Sequence, residues 1–231
     1  DVAGIRTFAR RVDGGYVVNG SKTFITNGVR ADFVVTAVKT TEAGGHQGLS
    51  FLIIERGMEG FERSRKLEKL GWHASDTGEL AFTDVEVPEE NLLGEENGGF
   101  YLIMANFQWE RLLMALGAVA SMDSVIERVV RSEPDGEWRH LVAELAVKRE
   151  ASRCLTYHAL RRFLDGGDAV REVTEAKLLS QRAAFEVADA AFRITGGDLE
   201  VGRAVRDTRL GPIGGGTDEV MKEILAKQLG L

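Results

Sequence analysis

Cysteine and long apolar runs are nearly absent from this sequence of 231 residues. The single cysteine, Cys154, excludes an internal disulfide framework and a cysteine-rich metal site. No apolar run approaches the ~20 residues that a membrane-spanning helix requires. The first residues, which begin at Asp1, lack the charged-then-apolar pattern of a signal peptide. We therefore expect a protein that has no membrane span and is not secreted.

Positive charge is scarce relative to negative charge. Lysine and arginine total 29 against 36 aspartate and glutamate residues, so the formal net charge is −7, and no basic block is present. Because nucleic-acid binders usually carry a basic patch, we expect no nucleic-acid partner. The four histidines show no paired ligand spacing, which argues against a metal site. With 44 % apolar residues, the composition is typical of a globular protein with a substantial core.

The first hundred residues have the texture of a β-domain. They contain 15 of the 27 glycines, and apolar and polar residues alternate between the glycines as they do in strands. The Asn19-Gly20 pair predicts a tight hairpin turn. The predicted strands cover residues 16–18, 21–26, 33–38, 49–55 and 80–87. Short strands between glycine-rich turns favour a β-barrel or an orthogonal β-sandwich.

From Gly99 onward the apolar period lengthens to about 3.6 residues, which is the helical period. The run from Glu133 to Gly136 and the run from Asp165 to Gly167 interrupt this pattern. The predicted helices cover residues 99–131, 138–165, 169–195 and 217–229. We therefore predict an α+β multidomain chain, with a β-domain over residues 1–98 and an up-down four-helix bundle over residues 99–231.

Three segments of the sequence resemble the FAD-dependent acyl-CoA dehydrogenases. They read DGGYVVNGSKTFITNG, KLGWHASDTGELAFTDVEVPEENLLGEENGGF and IGGGTDEVMKEILAKQLGL, and they occur in the order that this family has. The resemblance implies bound FAD and removal of hydrogen from Cα and Cβ of an acyl-CoA thioester. It also implies electron-transfer flavoprotein as electron acceptor and a homotetramer or mixed tetramer. The implied location is the cytoplasm, or the mitochondrial matrix in a eukaryote.

This chemistry needs a carboxylate that removes a weakly acidic α-proton, with a pKa raised by an apolar pocket. In most of the family that residue is a Glu directly before Gly-Thr, but Gly215 occupies the position here. In the long-chain and isovaleryl branch the base lies in a Glu-Arg pair on the first bundle helix, which corresponds to Glu110 and Arg111. Glu110 also interrupts an apolar stripe that includes Phe107 and Met114, so we expect its carboxylate to be desolvated. The alternative is a structural ion pair with an arginine.

Five residues correspond to flavin contacts in the family. Phe24, Ile25 and Thr26 match the strand that lies near the isoalloxazine ring, and the alternative is an ordinary strand end. Thr217 and Glu219 match positions near the adenosine end of FAD. Thr217 is also typical of a helix N-cap, with acidic residues favourable in the following turn.

Four further residues are assigned to the acyl-CoA site by the resemblance. Phe107 is expected to line the acyl channel, although an aromatic at helical spacing is more often plain core. Arg111 is expected to orient the catalytic region, and Ser75 to lie on the CoA side, although such Ser-Asp-Thr clusters often form turns. Gly215 is expected to border the substrate where other members carry the base.

The sequence departs from the family in three places. The N-terminal helical domain that precedes the β-domain in the family is missing from this chain. The Arg-x-x-Phe-Gly segment between the first two bundle helices is replaced by a shorter one at residues 131–140, and residues 197–203 are shortened, with Arg193 where a Gln is common. A non-catalytic or half-site subunit of a mixed tetramer is therefore an alternative. A flavin oxidase or an acyl-carrier dehydrogenase of the same fold is another.

Overall fold

The computed structural model describes residues 2, 4–41 and 47–231. The chain is divided into two compact units, Asp1–Ala105 and Asn106–Leu231. The first unit contains a seven-stranded sheet. Its strands are β1 Phe8–Val12, β2 Gly15–Thr26, β3 Phe33–Lys39, β4 Leu49–Glu55, β5 Phe61–Lys66, β6 Thr77–Pro88 and β7 Leu92–Leu93.

The strand order of the sheet is β5-β6-β2-β1-β3-β4-β7. Neighbouring strands are antiparallel except β1 and β3, which are parallel. Alternation along the strands puts one set of apolar side chains into a common core, as on β4, where Leu52 and Ile54 are buried and Glu55 is exposed. Tyr16, Val18 and Phe82 belong to the same core.

The predicted hairpin at Asn19-Gly20 is wrong, because β2 runs through both residues without turning. The register between β2 and β6 shifts between Val18 and Gly20, so this Asn-Gly pair marks a bulge. Gly20 has φ +140°, and a Cβ there would lie 2.8 Å from the Cα of Thr7. The Asn19 side chain meanwhile exchanges hydrogen bonds with Asp84 on β6. Cross-strand contacts therefore override the local turn preference.

Strands β1, β5 and β7 were not predicted. β5, FERSRK, has no buried residue, and β1, FARRV, carries two exposed arginines. Both lack the clean alternation of a half-buried strand, so pairing with their neighbours, rather than their own pattern, makes them strands.

Helices account for nearly all of the remainder. They are α1 Gly99–Arg131, α2 Gly136–Leu164, α3 Val170–Ile194, α4 Leu199–Thr208 and α5 Asp218–Gln228. The predicted order of a β-domain followed by helices is confirmed. Helix α4 was not predicted; its N-cap is Asp198, whose side chain accepts hydrogen bonds from the N–H groups of Glu200 and Val201. Among the described residues, no helix combines the length and apolarity needed to cross a membrane.

The core of the second unit depends on small residues. α3 buries alanines along one face, including Ala184 and Ala191, and these pack with Met122 and Ile126 of α1. Polar side chains of α3, among them Ser180 and Gln181, are buried together with these alanines.

Candidate active site

The second half of β2 has a free edge. β1 pairs with β2 only as far as Asn19, and from Gly20 to Thr26 the described residues provide β6 as the one strand neighbour. A second register shift follows Lys22, because Lys22 pairs with Leu80 and Ile25 with Gly78. Two residues of β2 therefore face one residue of β6, which is a bulge and leaves backbone groups outside the ladder.

Phe24 lies at this bulge. It has φ +60°, and 76 % of the residue is exposed. A bulky residue in the left-handed region with an exposed aromatic ring is a costly arrangement of the kind found at ligand sites. Ile25 is half-buried against the sheet core, and Thr26 is exposed. The end of β2 thus offers an aromatic face, a hydroxyl and unpaired backbone groups.

Asp76 fastens the turn that follows Thr26. Its carboxylate accepts hydrogen bonds from Val29 N at 2.9 Å and from Arg30 Nε at 2.6 Å, and its backbone carbonyl accepts one from Asn27 N at 3.0 Å. Asp76 is only 6 % exposed. Burial raises the pKa of Asp76, but the hydrogen bonds from Val29 and Arg30 and the charge of Arg30 bring it below its ordinary value.

Ser75 precedes Asp76 in the same loop. Thr77 pairs with Thr26 at the end of β2, and Ser75 precedes Thr77 by two positions. The structure therefore places Ser75 near the end of β2. The Ser75 hydroxyl donates to the carbonyl of Asp76, and the Ser75 carbonyl accepts from Lys69 Nζ at 2.7 Å. These bonds are those of an ordinary turn, and the CoA-side role of Ser75 stays a prediction.

The sequence predicts a desolvated Glu110 carboxylate, but Glu110 is exposed in the described part of the chain. It accepts a hydrogen bond from Asn106, one helical turn earlier. The apolar stripe used to predict its burial lies on the flank of α1, where Phe107 and Met114 are half-exposed. The buried face of the helix passes instead through Arg111, Leu112, Ala115, Ala118, Val119, Met122, Val125, Ile126 and Val129.

Arg111 joins this helix to the glycine turn, residues 214–216. Its Nε donates to the carbonyl of Gly215 at 2.9 Å, and its guanidinium lies 5.0 Å from the centre of the Phe107 ring. Arg111 is 8 % exposed. Burial lowers the pKa of Arg111 and the neighbouring charge of Glu110 raises it, with burial the larger effect. Arg111 thus contacts both Phe107 and Gly215, and Glu110 directly precedes it on the helix.

Gly215 and Gly216 adopt conformations that favour glycine, with φ +65° and +100°. A Cβ at Gly215 would lie 2.6 Å from the Sδ of Met114. In the described part of the chain, the N–H groups of Gly215 and Gly216 have no hydrogen-bond acceptor. The turn therefore presents backbone donors and leaves no room for a side chain while Met114 stays in place.

Thr217 caps helix α5, as its position before the acidic first turn predicts. Its hydroxyl accepts a hydrogen bond from Val220 N at 3.3 Å. Hydrogen bonds to the carboxylate from the backbone N–H of Glu219 itself and from the Thr217 side chain lower the pKa of Glu219. Both residues are engaged in the helix cap, and their role near FAD stays a prediction.

Sequence reasoning assigned no role of their own to Asp76, beside the end of β2, or to Met114 and Lys177, beside the glycine turn. Lys177 is enclosed on α3, and its Nζ donates to the carbonyl of Gly216 at 2.7 Å. A lysine at helical spacing from the small or apolar residues at 173, 180 and 184 was a usable signal. No cluster of three or more metal-binding side chains occurs among the described residues.

The structure defines a two-domain chain in which a seven-stranded β-domain precedes a helical domain. Residues 1–85 match the family model for the acyl-CoA dehydrogenase middle domain, and residues 97–230 match the model for the acyl-CoA dehydrogenase C-terminal domain. The chain belongs to the acyl-CoA dehydrogenase family.

Relatives and solved structures agree with this assignment. Mitochondrial isovaleryl-CoA dehydrogenase of Oryza sativa is 36 % identical over 245 residues, and mitochondrial long-chain specific acyl-CoA dehydrogenase of Mus musculus is 38 % identical over 252 residues. Each match covers 99 % of this chain, but the chain spans only 60 % and 57 % of these relatives. The structure of a probable acyl-CoA dehydrogenase from Mycobacterium abscessus matches with a TM-score of 0.96 and 43 % identity, covering all of this chain and 65 % of that one.

Proposed function

We propose that the protein is an FAD-dependent dehydrogenase of acyl-CoA thioesters in which Glu110 is the catalytic base. The observation that carries this proposal is the Arg111–Gly215 hydrogen bond, because it brings the helix of Glu110 to the glycine turn. At that turn position 215 has neither a carboxylate nor space for one beside Met114. The carboxylate that directly precedes Arg111 in sequence belongs to Glu110, which is therefore the proposed base.

The end of β2 fits a flavin. A flavin ring has a flat apolar face and an edge of alternating hydrogen-bond donors and acceptors. The exposed Phe24 ring suits the face, and the unpaired backbone of the bulge with the Thr26 hydroxyl suits the edge. We propose that these residues hold the ring and that Thr217 and Glu219 lie near the adenosine end. FAD, when bound, accepts the hydride from the substrate Cβ.

The residues of the chain supply the acid–base chemistry. Glu110 removes the α-proton, and the N–H groups of Gly215 and Gly216 donate to the thioester oxygen as negative charge develops on it. Phe107 lies beside Arg111 and borders the acyl group. Because the Glu110 carboxylate is exposed in this chain, we propose that the bound acyl group itself excludes water from it.

The test compares Glu110→Gln with Glu127→Gln, an exposed glutamate on the same helix that pairs with Arg131. Both FAD-loaded variants are mixed anaerobically with a panel of straight and branched acyl-CoAs, and loss of flavin absorbance is followed. Loss of a general base costs about 10²–10⁴-fold in rate. We expect that loss for Glu110→Gln only. Bleaching by Glu110→Gln at the wild-type rate would exclude Glu110 as the base.

A half-site subunit is the second candidate. Only residues 132–135 separate α1 from α2, where the family has its longer Arg-x-x-Phe-Gly segment. Purified protein that contains no FAD until mixed with another family member would favour this role. Rapid reaction of the reduced flavin with oxygen would instead favour an oxidase. We also propose electron-transfer flavoprotein as the electron acceptor and a tetramer as the assembly. A sizing experiment tests the tetramer, and the panel of acyl-CoAs gives the preferred acyl length.

A further inference from the structure

Two methionines face the glycine turn, and they differ in exposure. A Cβ at Gly215 would lie 2.6 Å from the Sδ of Met114, and a Cβ at Gly216 would lie 2.7 Å from the Cε of Met221. Met221 is 0 % exposed and belongs to the core, whereas Met114 is half-exposed. Of these two side chains, Met114 is therefore the one that a molecule arriving from solvent meets at the turn.

Glycines leave space around the Met114 side chain. Gly117 follows Met114 by nearly one turn of α1, and a Cβ at Gly117 would meet nothing within 4 Å. In the glycine turn, a Cβ at Gly214 would come no closer than 3.5 Å to the Cε of Met114, which is ordinary contact. Because these glycines carry no side chains, the width of the space depends on the side chain at position 114.

The backbone of Met114 is held in place, whereas its side chain is adaptable. The Met114 carbonyl accepts a hydrogen bond from Gln181 Nε2 at 2.6 Å, and Gln181 is buried on α3. A methionine side chain is unbranched, has three rotatable bonds and fills irregular gaps. Acyl groups of different shape can therefore be accommodated by movement of the thioether, without displacement of α1.

Met114 lies beside both groups to which the proposed function assigns the reaction. It follows Glu110 by four residues, so the two side chains leave α1 on the same side, with Cβ atoms about 5–6 Å apart. Its Sδ also packs against Gly215, whose N–H is proposed to bind the thioester oxygen. An acyl group that offers its α-proton to Glu110 and its oxygen to Gly215 therefore lies against Met114.

We propose that Met114 determines how wide an acyl group the site accepts next to the thioester. Its thioether contacts the α- and β-carbons of the acyl group. A methyl branch on either carbon takes space that the thioether fills, so branched acyl groups are the class against which Met114 discriminates. This inference rests on the proposed function and adds a specificity-determining residue to it.

The test uses Met114→Ala, which removes the thioether, and Met114→Val, which keeps part of the apolar volume, in the FAD-loaded enzyme. Met104→Ala is the matched control. Met104 is exposed on the same helix, and it precedes Glu110 by six residues, which places it on another side of α1. The parameters kcat and KM are measured with the best straight acyl-CoA and with its 2-methyl and 3-methyl derivatives.

For Met114→Ala we expect the ratio of kcat/KM for branched to straight substrates to rise about tenfold, because one methylene in an apolar pocket is worth about 10–200-fold. The straight substrate should lose efficiency, since the cavity left by the thioether loosens its packing. Met114→Val should give a smaller rise, and Met104→Ala should keep the wild-type ratio. A purely structural methionine would change thermal stability and leave the ratio unmoved.

A wild-type ratio in the folded Met114 variants would overturn the inference. An equal rise in Met104→Ala would overturn it as well, because the effect would then not belong to the glycine turn. Failure of both Met114 variants to fold with bound FAD would assign Met114 to folding alone and would also overturn it. If no acyl-CoA of the panel reduces the flavin of the wild-type protein, the proposed function itself is wrong. The wild-type measurement therefore separates the two failures.

Discussion

The side chain of Arg111 and the backbone of Gly215 are joined by a 2.9 Å hydrogen bond between residues 104 positions apart. This bond lies on the buried face of α1, whereas the neighbouring Glu110 faces outward. One helix therefore provides both an internal tie to the glycine turn and an exposed carboxylate beside it. The stability and conformation of the turn should accordingly be sensitive to changes at position 215.

Gly215→Ala is expected to lower the free energy of unfolding by about 1–2 kcal/mol, because a non-glycine residue is strained at φ +65°. Met114 would also have to move. Gly117→Ala on α1 is the matched control, since a Cβ there meets nothing within 4 Å and alanine favours a helix by up to about 1 kcal/mol. Urea unfolding should give opposite signs for the two variants. Stabilisation by Gly215→Ala would contradict the conformation of the turn.

The stabilising effect of Asp76 should depend on pH. Its pKa in the folded protein lies below its ordinary value of 3.8, so its contribution is present above that pH and is lost as pH falls through the folded pKa. Asp76→Asn should therefore reduce stability clearly at pH 7 and less at pH values below about 3.8. Denaturant melts of both proteins across this range measure the difference.

Asp32→Asn is the control for Asp76, because the Asp32 carboxylate is exposed and lies 3.4 Å from Arg56. Exposed ion pairs contribute little, about 0–1 kcal/mol, so this variant should remain close to the wild type at every pH. A gap between wild type and Asp76→Asn that stays constant down to low pH would show that shape, not charge, makes Asp76 important.

Helix α4 should depend on its N-cap. Asp198 accepts hydrogen bonds from Glu200 N at 2.9 Å and from Val201 N at 3.0 Å, so Asp198→Ala should cost about 1 kcal/mol. Asp198→Asn keeps a capping oxygen and should retain most of the stability. Asp135→Ala should have a smaller effect, because Asp135 precedes α2 without a side-chain capping bond. Thermal unfolding of the three variants ranks them. Equal losses for Asp198→Ala and Asp198→Asn would instead point to the ion pair with Arg128.

Lys22 on β2 is expected to titrate below the ordinary range of a lysine. Burial lowers its pKa to about 8 from 10.5, so between these values the unfolded chain binds more protons than the folded one. Stability should therefore rise with pH across that window, and Lys22→Met should remove the rise. Carbon-13 dimethylation followed by NMR titration gives the pKa directly, with exposed Lys227 as reference. A midpoint for Lys22 equal to that of Lys227 would exclude the effect of burial.

Local pattern was sufficient for much of the fold. The helical period from Gly99 onward and the breaker at Asp165-Gly166 predict α1, α2 and α3 to within a few residues. Those signals are local, since apolar spacing and chain-breaking residues act over one or two turns. The Glu110-Arg111 pair and the glycines of residues 214–216 were also recognisable, because they form short motifs at fixed spacing.

Only the tertiary structure decided how these motifs are used. Asn19-Gly20 became a bulge rather than a turn because β1 and β6 pair with β2 on either side of it. Glu110 is exposed and Arg111 buried because the packing of α1 selects one face among several compatible with its sequence. Lys177 reaches the Gly216 carbonyl across 39 positions. Such long-range contacts depend on the three-dimensional packing of whole helices, which no local pattern of residues specifies.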